Sequence, residues 1–316
     1  MTGLLDDEKR GRNRTIYLTG ATGRLGQAVL RRVDAIPLVR KEHGLPNEIV
    51  TDFSPRQLKG ILNDADIILH IAGSVQTLDG RMMREANVAL TERIVGAAPE
   101  KTRIIFASSI SVYGKKLAKV PANEKTATNP DSAYSRSKFD AERIVAKRSD
   151  HCIFRIGTIY GPGYDDYYKV LSYIEKGKMR MIGNGSNRIP FVHVDDVADA
   201  FSHALDSGKG TYVLSGEPLA QKEIYSIAAK ALGAKAPERS INLGAAMLIA
   251  SGQQLLYRLG GRKPTLTREH IAILGYDRAF DCSKAEKELG FSPRSLEHGI
   301  IEMVREYRSK KNAFNP

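Results

Sequence analysis

Thr15-Ile16-Tyr17-Leu18-Thr19-Gly20-Ala21-Thr22-Gly23-Arg24-Leu25-Gly26 is the stretch on which the reading of this chain turns. It opens with strand-forming residues, and its glycines then recur at every third position, 20, 23 and 26. Glycine permits a tight turn, lets backbone approach a pyrophosphate, and lets a helix lie close on the strand. A helix from about Leu25 to Val33 can follow. Its N-terminus would offer free N–H groups and the positive end of a dipole to phosphate. Strand, glycine turn and helix together predict a dinucleotide site at Gly20, Thr22, Gly23, Arg24, Leu25 and Gly26. An ordinary strand-to-helix turn can carry the same glycines, so the rest of the chain has to decide.

Alternation decides. Apolar runs at 35–39, 48–51, 66–71, 103–107 and 152–156 are mostly separated by helical patterns, at 56–62, 81–98 and 132–147. Near-continuous Ile, Leu and Val between helices suit a parallel sheet covered on both faces. Repeated β-α order makes the crossovers right-handed. The expected fold class is α/β: a doubly wound, Rossmann-type parallel sheet with a smaller C-terminal substrate-binding region. Pro37 falls inside the second strand, where a missing N–H is unwelcome, so that strand begins either at Ala35 or at Leu38. Past Ile156 the chain changes to short strands and helices, with helices expected at 167–176, 194–205, 219–232, 243–259, 283–289 and 296–308. The expected division is a charged lead-in at 1–14, a dinucleotide-binding domain at 15–160 and a mainly substrate-binding region at 161–316 with segments returning to the sheet.

Composition narrows the function. At 316 residues, 42% hydrophobic and 27% charged, the chain is ordinary for a globular protein with a full α/β core. No apolar run approaches the ~18 residues of a membrane span. Asp6, Asp7, Glu8, Lys9 and Arg10 occupy the place of a secretory signal's apolar segment. Two cysteines, Cys152 and Cys282, lack metal-ligand spacing and fit a reducing cytoplasm as packing residues. The net charge of +12 is unusual, but the cations are scattered and no aromatics interleave with them. That pattern argues for a solvated basic surface and against nucleic acid. His193, Asp195 and Asp196 lack paired-ligand spacing, so no metal is expected. No Gly-x-Ser-x-Gly elbow for a serine hydrolase is present.

Cofactor choice turns on the residue about 20 positions past the glycines, where an acid would bind the ribose of NAD. Here the second strand ends in Val39-Arg40-Lys41, and Arg24 lies in the turn. Cations suit a 2′-phosphate and favour NADP(H) over NAD(H). The alternative leaves Arg40 and Lys41 solvated and gives the ribose to Glu42 or Asp34. Asp52 and Phe53 are placed for the adenine edge, and Ile71, Ala72 and Gly73 for the nicotinamide side.

Tyr134 and Lys138 lie four residues apart on an expected helix. A free tyrosine, with a pKa of about 10, is a poor base at neutral pH. A lysine on the same face stabilises phenolate, and its other donors can hold a ribose hydroxyl. Ser108, Ser109 and Ser111, in the run ending Tyr113-Gly114, supply hydroxyls to polarise a substrate oxygen.

From Thr15 to Tyr307 the chain resembles the extended short-chain dehydrogenase/reductases, also called the NAD-dependent epimerase/dehydratase family. The motifs are Thr19–Gly26, Asp66–Gly73, Asn87-Val88, Ser108–Gly114, Tyr134–Lys138, Arg155–Gly163, Arg188–Ala198 and Asp281–Pro293. The resemblance implies Ser109 as the catalytic hydroxyl, Tyr134 as acid/base, Lys138 as its partner and Asn87 in the cofactor-binding set. It also explains His193 and its aspartates as a turn into a helix. Thr158 stands where nucleotide-sugar epimerases commonly carry Asn, and their Arg-x-Gly-Asp-like stretch is missing. Lys263–Arg268 and Phe280–Lys284 instead resemble the branch of 3β-hydroxysteroid dehydrogenases and dihydroflavonol reductases, which act on bulkier, less charged alcohols and ketones. Ser111, Thr158 and Arg188 are the candidate substrate residues.

The implied function is an NADP-preferring oxidoreductase interconverting a secondary alcohol and a ketone, with a small-molecule substrate. The alternatives are an NAD-dependent nucleotide-sugar epimerase, similar to UDP-glucose 4-epimerase, and a non-catalytic dinucleotide-binding or assembly subunit. Homodimers are common in the family. Leu243–Leu259 reads first as a helix packed on its own domain, and only second as one lying on a membrane surface.

Overall fold

The computed structural model describes residues 14–75, 80–260 and 268–314. Apart from Arg14 the charged lead-in lies outside the described residues, as does 263–267. The sheet has seven strands: β1 (Ile16–Thr19), β2 (Ile36–Val39), β3 (Ile49–Val50), β4 (Ile67–His70), β5 (Arg103–Ser109), β6 (His151–Ile156) and β7 (Gly210–Leu214). Their order is β7-β6-β5-β4-β1-β2-β3. The registers β1–β2, β2–β3, β1–β4 and β4–β5 are all parallel. All four residues of β1 and of β4 are buried, which accounts for their unbroken apolar runs. This is the expected doubly wound fold. The chain moves outward from β1 through β2 and β3, then returns to β1's other side as β4. That reversal is where open α/β sheets hold ligands.

Pro37 does lie within β2, opposite Leu18. The Val39 carbonyl accepts from Thr51 N–H, and polar groups alternate sides along a strand, so Pro37 faces the β3 side. β3 begins at Ile49, opposite Leu38. Pro37 therefore sits one residue before that ladder starts, and no strand bond is lost.

In the first half the helices are α1 (Arg24–Leu30), α2 (Pro55–Ile61), α3 (Gly80–Arg84), α4 (Leu90–Ala97) and α5 (Ala133–Val145). Ser54 caps α2 by accepting from Gln57 N–H, with Pro55 in the first turn. The helix expected at 81–98 is instead α3 and α4 joined by a π-helical turn, Glu85–Ala89. Ala141 and Val145 of α5 pack on Ile104, Phe106 and Ile153 of the sheet. Full burial of a Val, Ile or Phe side chain such as Val145, Ile104, Ile153 or Phe106 is worth about 1.5–3 kcal/mol, and together these contacts fix the helix's rotation.

The later helices are α6 (Asp166–Glu175), α7 (Val194–His203), α8 (Gln221–Leu232), α9 (Leu243–Arg258), α10 (Arg268–Gly275), α11 (Ser283–Leu289) and α12 (Leu296–Phe314). α8 starts two residues later than expected because Leu219–Ala220 pairs antiparallel with Arg188–Ile189. The sequence reading had not picked out α10 or β7.

The chain divides into two compact units, residues 1–108, 136–154 and 201–211, and residues 109–135, 155–200 and 212–316. In the first, Tyr17, Leu38, Leu58, Ile68 and Ile94 belong to one hydrophobic core. In the second, apolar faces of α6, α8 and α12 meet through Leu171, Tyr225, Ile300 and Val304.

Candidate active site

Close backbone approach shapes the ligand edge of the first unit. Gly20 has φ +80°, and a Cβ there would stand 2.7 Å from Ala72 N. A Cβ on Gly26 would stand 2.1 Å from the Gly20 carbonyl oxygen. The first glycine lets β1 turn against the loop after β4, and the second lets α1 lie on that turn. Gly23 is the N-cap of α1, and no side chain caps the helix, which leaves its first N–H groups to an anion. Thr22 and Arg24 are exposed on the turn, with Leu25 buried beneath. The cradle that a Cβ would fill fits the pyrophosphate of a dinucleotide.

Ala72 and Gly73 lead from the cradle to a buried lysine. A Cβ on Gly73 would come within 2.9 Å of Asn87 Oδ1 and 3.0 Å of Lys138 Nζ. Asn87, in the π-helical turn, accepts from Ser74 N–H at 2.7 Å. Its Nδ2 donates to Ser74 O at 3.0 Å and Ser137 Oγ at 2.9 Å. Lys138 Nζ donates to Ala107 O at 2.8 Å, 4.9 Å from the Phe106 ring centroid. Burial pulls the Lys138 pKa from 10.5 down to about 8, while the Glu142 charge pushes it up. Glu142, one turn further along α5, is itself buried and accepts from Ser108 Oγ at 2.5 Å. Because the folded pKa lies below the unfolded one, holding Lys138 charged at neutral pH costs stability, on the order of 3 kcal/mol. That cost fades as pH rises from about 8 to 10.5. Such costs concentrate at functional sites.

His70 organises the same region from below. Its Nδ1 is 2.7 Å from Thr19 Oγ1 and its Nε2 is 2.8 Å from Thr91 Oγ1. Thr91 donates its own proton to Asn87 O at 2.6 Å, so His70 Nε2 carries the imidazole proton and Nδ1 accepts from Thr19. Ala72 N–H donates to Thr19 Oγ1 at 3.3 Å. A single directional chain of bonds thus ties Ala72, Thr19, His70, Thr91 and Asn87. Burial first, and the Lys138 charge second, push the His70 pKa down to about 3 and hold the ring neutral.

In the second unit the chain after β5 presents hydroxyls. Ser109 caps a 3-10 turn, Ile110–Tyr113, and its Oγ accepts from Ser111 N–H at 3.1 Å, which leaves the Ser109 proton to donate. Ser111 Oγ is buried and has no partner among the described residues, a condition that a bound polar group would relieve. Two arginines brace this turn. Arg155 Nη1 donates to Tyr113 OH at 2.9 Å, and Arg278 Nη2 to Ile110 O at 3.1 Å. Ser132 and Ser135 hold the start of α5 reciprocally, each accepting from the other's N–H at 3.1 and 2.8 Å. Half-buried Tyr134 follows in the first turn, and continuous helix puts Lys138 one turn later on the same face.

The remaining candidates are spread out. Arg40 is exposed past β2, 5.7 Å from the Phe53 ring centroid. The Phe53 ring is buried in the core, and its N–H donates to Thr51 Oγ1. Exposed Asp52 accepts from Ser54 N–H, which lowers its pKa. Asp34 lies before β2, at the end of the strand away from the glycine turn. Thr158 N–H donates to Pro190 O at 2.7 Å. The Arg188 guanidinium is taken up by Asp277, through bonds of 2.9 and 2.6 Å. Ser108, one of three hydroxyls left open by the sequence, is committed to Glu142. Among the described residues, no group of three or more His, Cys, Asp or Glu could hold a metal. Sequence reasoning passed over His70, Thr91, Ser137 and Glu142. The signal for Glu142 was available: positions 138, 141, 142 and 145 share one helical face, and two of them are charged.

The profile of the NAD dependent epimerase/dehydratase family matches residues 16–215. The chain belongs to this family. An Arabidopsis thaliana member, 3beta-hydroxysteroid-dehydrogenase/decarboxylase isoform 1, is 27% identical over a 327-residue alignment covering 93% of this chain and 72% of the relative. The 2-alkyl-3-oxoalkanoate reductase of Stenotrophomonas maltophilia is 24% identical, covering 90% of this chain and 97% of the relative. The UDP-N-acetylglucosamine 4-epimerase of Bacillus cereus shares the fold, with a TM-score of 0.73 at 22% identity over 94% of this chain and 100% of that one. The protein is thus an NAD(P)-dependent enzyme of the epimerase/dehydratase family, an oxidoreductase or epimerase of the extended short-chain type.

Proposed function

We propose that this family member exchanges hydride between NADP(H) and a bulky, weakly charged secondary alcohol or its ketone. One observation carries the chemistry: Lys138, buried with its pKa drawn down to about 8, follows Tyr134 by one turn of α5. Bound nicotinamide supplies or takes up the hydride. In the reducing direction Tyr134 gives its proton to the carbonyl oxygen, and Ser109 Oγ–H donates a hydrogen bond to that oxygen. In the oxidising direction the phenolate takes the hydroxyl proton. The Lys138 ammonium lowers the cost of phenolate by its charge alone. Ser111 and Thr158 are the retained substrate candidates, since Arg188 is engaged by Asp277.

The substrate class draws support from the two relatives, whose names specify a hydroxysteroid and an oxoalkanoate. The fold shared with the Bacillus cereus epimerase supports a second reading, transient oxidation of a nucleotide sugar with hydride returned to the same molecule. Nicotinamide released on denaturing the purified protein, together with NADPH oxidation over a panel of hydrophobic ketones, separates the two. We expect an exchangeable site and one NADPH consumed per ketone reduced. Stoichiometric NAD retained through turnover would replace this reading with the epimerase.

NADP preference rests on exposed Arg40 and Lys41 just past β2. Arg40→Ala is expected to raise the NADPH KM by about 10-fold or more, the worth of one charge-assisted contact, and to leave the NADH KM unchanged. Equal rises for both cofactors would show that Arg40 does not read the 2′-phosphate.

Glu142 sets a pH dependence. It pushes the Lys138 pKa up against burial, so Glu142→Gln lets that pKa fall below about 8. The activating cation is then lost earlier, and the basic limb of the kcat profile moves to lower pH. Glu142→Asp should restore part of the shift. A limb unmoved by Glu142→Gln would remove Lys138 protonation from the mechanism.

A further inference from the structure

We infer that the outer face of α9 docks on an anionic lipid bilayer, as a surface helix that does not cross it. The inference goes beyond the proposed chemistry and does not depend on it.

The helix has two apolar faces. At 100° per residue, Leu243, Ala246, Met247 and Ala250 share one side, and they pack with Ile182 and Ile271 in a core of the second unit. The opposite arc holds Leu248, Ile249, Leu255, Leu256 and Leu259, all solvent-exposed, with Leu248 at 74% and Leu259 at 76%. Ala245 and Gly252 complete that arc, so no polar side chain interrupts it. A globular surface helix normally turns charge outward opposite its core stripe, and this one turns leucine outward. Continuous apolar exposure of that kind marks an interaction surface.

Charge selects the occupant. From Ser240 to Leu259, the stretch that contains α9, the chain has no Asp or Glu. Exposed Arg239 precedes this run and exposed Arg268 follows it. Arg268 is tied to the helix through Ser251 Oγ at 2.8 Å. A second copy of the chain would set these cations against their like, and the net charge of +12 repels it further. Anionic headgroups attract the cations while the acyl boundary takes the leucines, the combination that holds amphipathic helices in an interface. No helix among the described residues is long and apolar enough to span the membrane, so contact is confined to the surface.

Co-sedimentation of the full chain with phosphatidylcholine vesicles, with and without phosphatidylglycerol, tests this. We expect at least tenfold more protein on the anionic vesicles, weakened by salt and abolished in a Leu255→Glu/Leu256→Glu variant. Both positions are exposed, so the variant should keep its melting temperature and its cofactor affinity. Binding that survives this double substitution would reduce the effect to adsorption of a basic surface and overturn the inference. Absence of binding at low salt would overturn it too. A concentration-dependent dimer that the variant dissociates would assign the face to a second copy instead.

Discussion

Tyr134→Phe is expected to cut ketone reduction by about 10²–10⁴-fold while NADPH binds as before. The substitution removes a single oxygen. It keeps the ring in the first turn of α5, and the Ser132–Ser135 bonds that start this helix do not involve it. Lys138 keeps its bond to Ala107 O and its place beside Gly73 and Asn87. What disappears is the acid that transfers its proton to the carbonyl oxygen in the proposed mechanism, while the Ser109 hydrogen bond to that oxygen remains. The loss should therefore fall on kcat, with the cofactor KM and the melting temperature unchanged. Lys138→Met gives the contrast, because that side chain serves both the phenol and the cofactor edge near Gly73. Its loss should lower kcat and weaken NADPH binding together. Turnover by Tyr134→Phe within about threefold of the unaltered enzyme would show that another group moves the proton.

The sequence was readable wherever one local constraint set the structure. The turn from Gly20 to Gly26 is such a case, since the spacing of its glycines after a strand is read directly from the chain, and Gly26 answers a contact with Gly20 only six residues back. Tyr134 and Lys138 are another, because four residues on a helix mean one face. Buried polar networks were harder to read. His70 follows Ile67-Ile68-Leu69 and looks like the end of an apolar run. Its partners Thr19 and Thr91 come from β1 and α4, and no spacing along the chain announces them. The π-helical turn carrying Asn87 broke a helix that apolar periodicity alone reads as continuous. α9 misled in the opposite way. Its apolar run reads as a packed helix, which is right for one face, but composition alone does not reveal that the other face is bare.

Gly26→Ala is the smallest substitution expected to destroy cofactor binding. A Cβ there would meet the Gly20 carbonyl oxygen at 2.1 Å and Ala21 Cα at 2.8 Å. Both are backbone atoms, so no side-chain rotation relieves the clash. Either α1 must lift off the turn or β1 must shift at its C-terminal end. Each movement spreads the N–H groups that the cradle offers to phosphate, and Gly20 is already committed to φ +80°. We expect NADPH affinity to fall at least 100-fold, about 3 kcal/mol, with a stability loss of similar size. Gly252→Ala is the control: it lies within α9, and nothing stands within 4 Å of its added Cβ. Relieved of glycine's entropy cost in a helix, it should stabilise by about 0.5–1 kcal/mol and leave NADPH binding alone. Opposite signs from the same added methyl group would tie the dinucleotide site to backbone contact at Gly26. A Gly26→Ala protein with unchanged melting temperature and NADPH affinity would mean that α1 does not rest on Gly20.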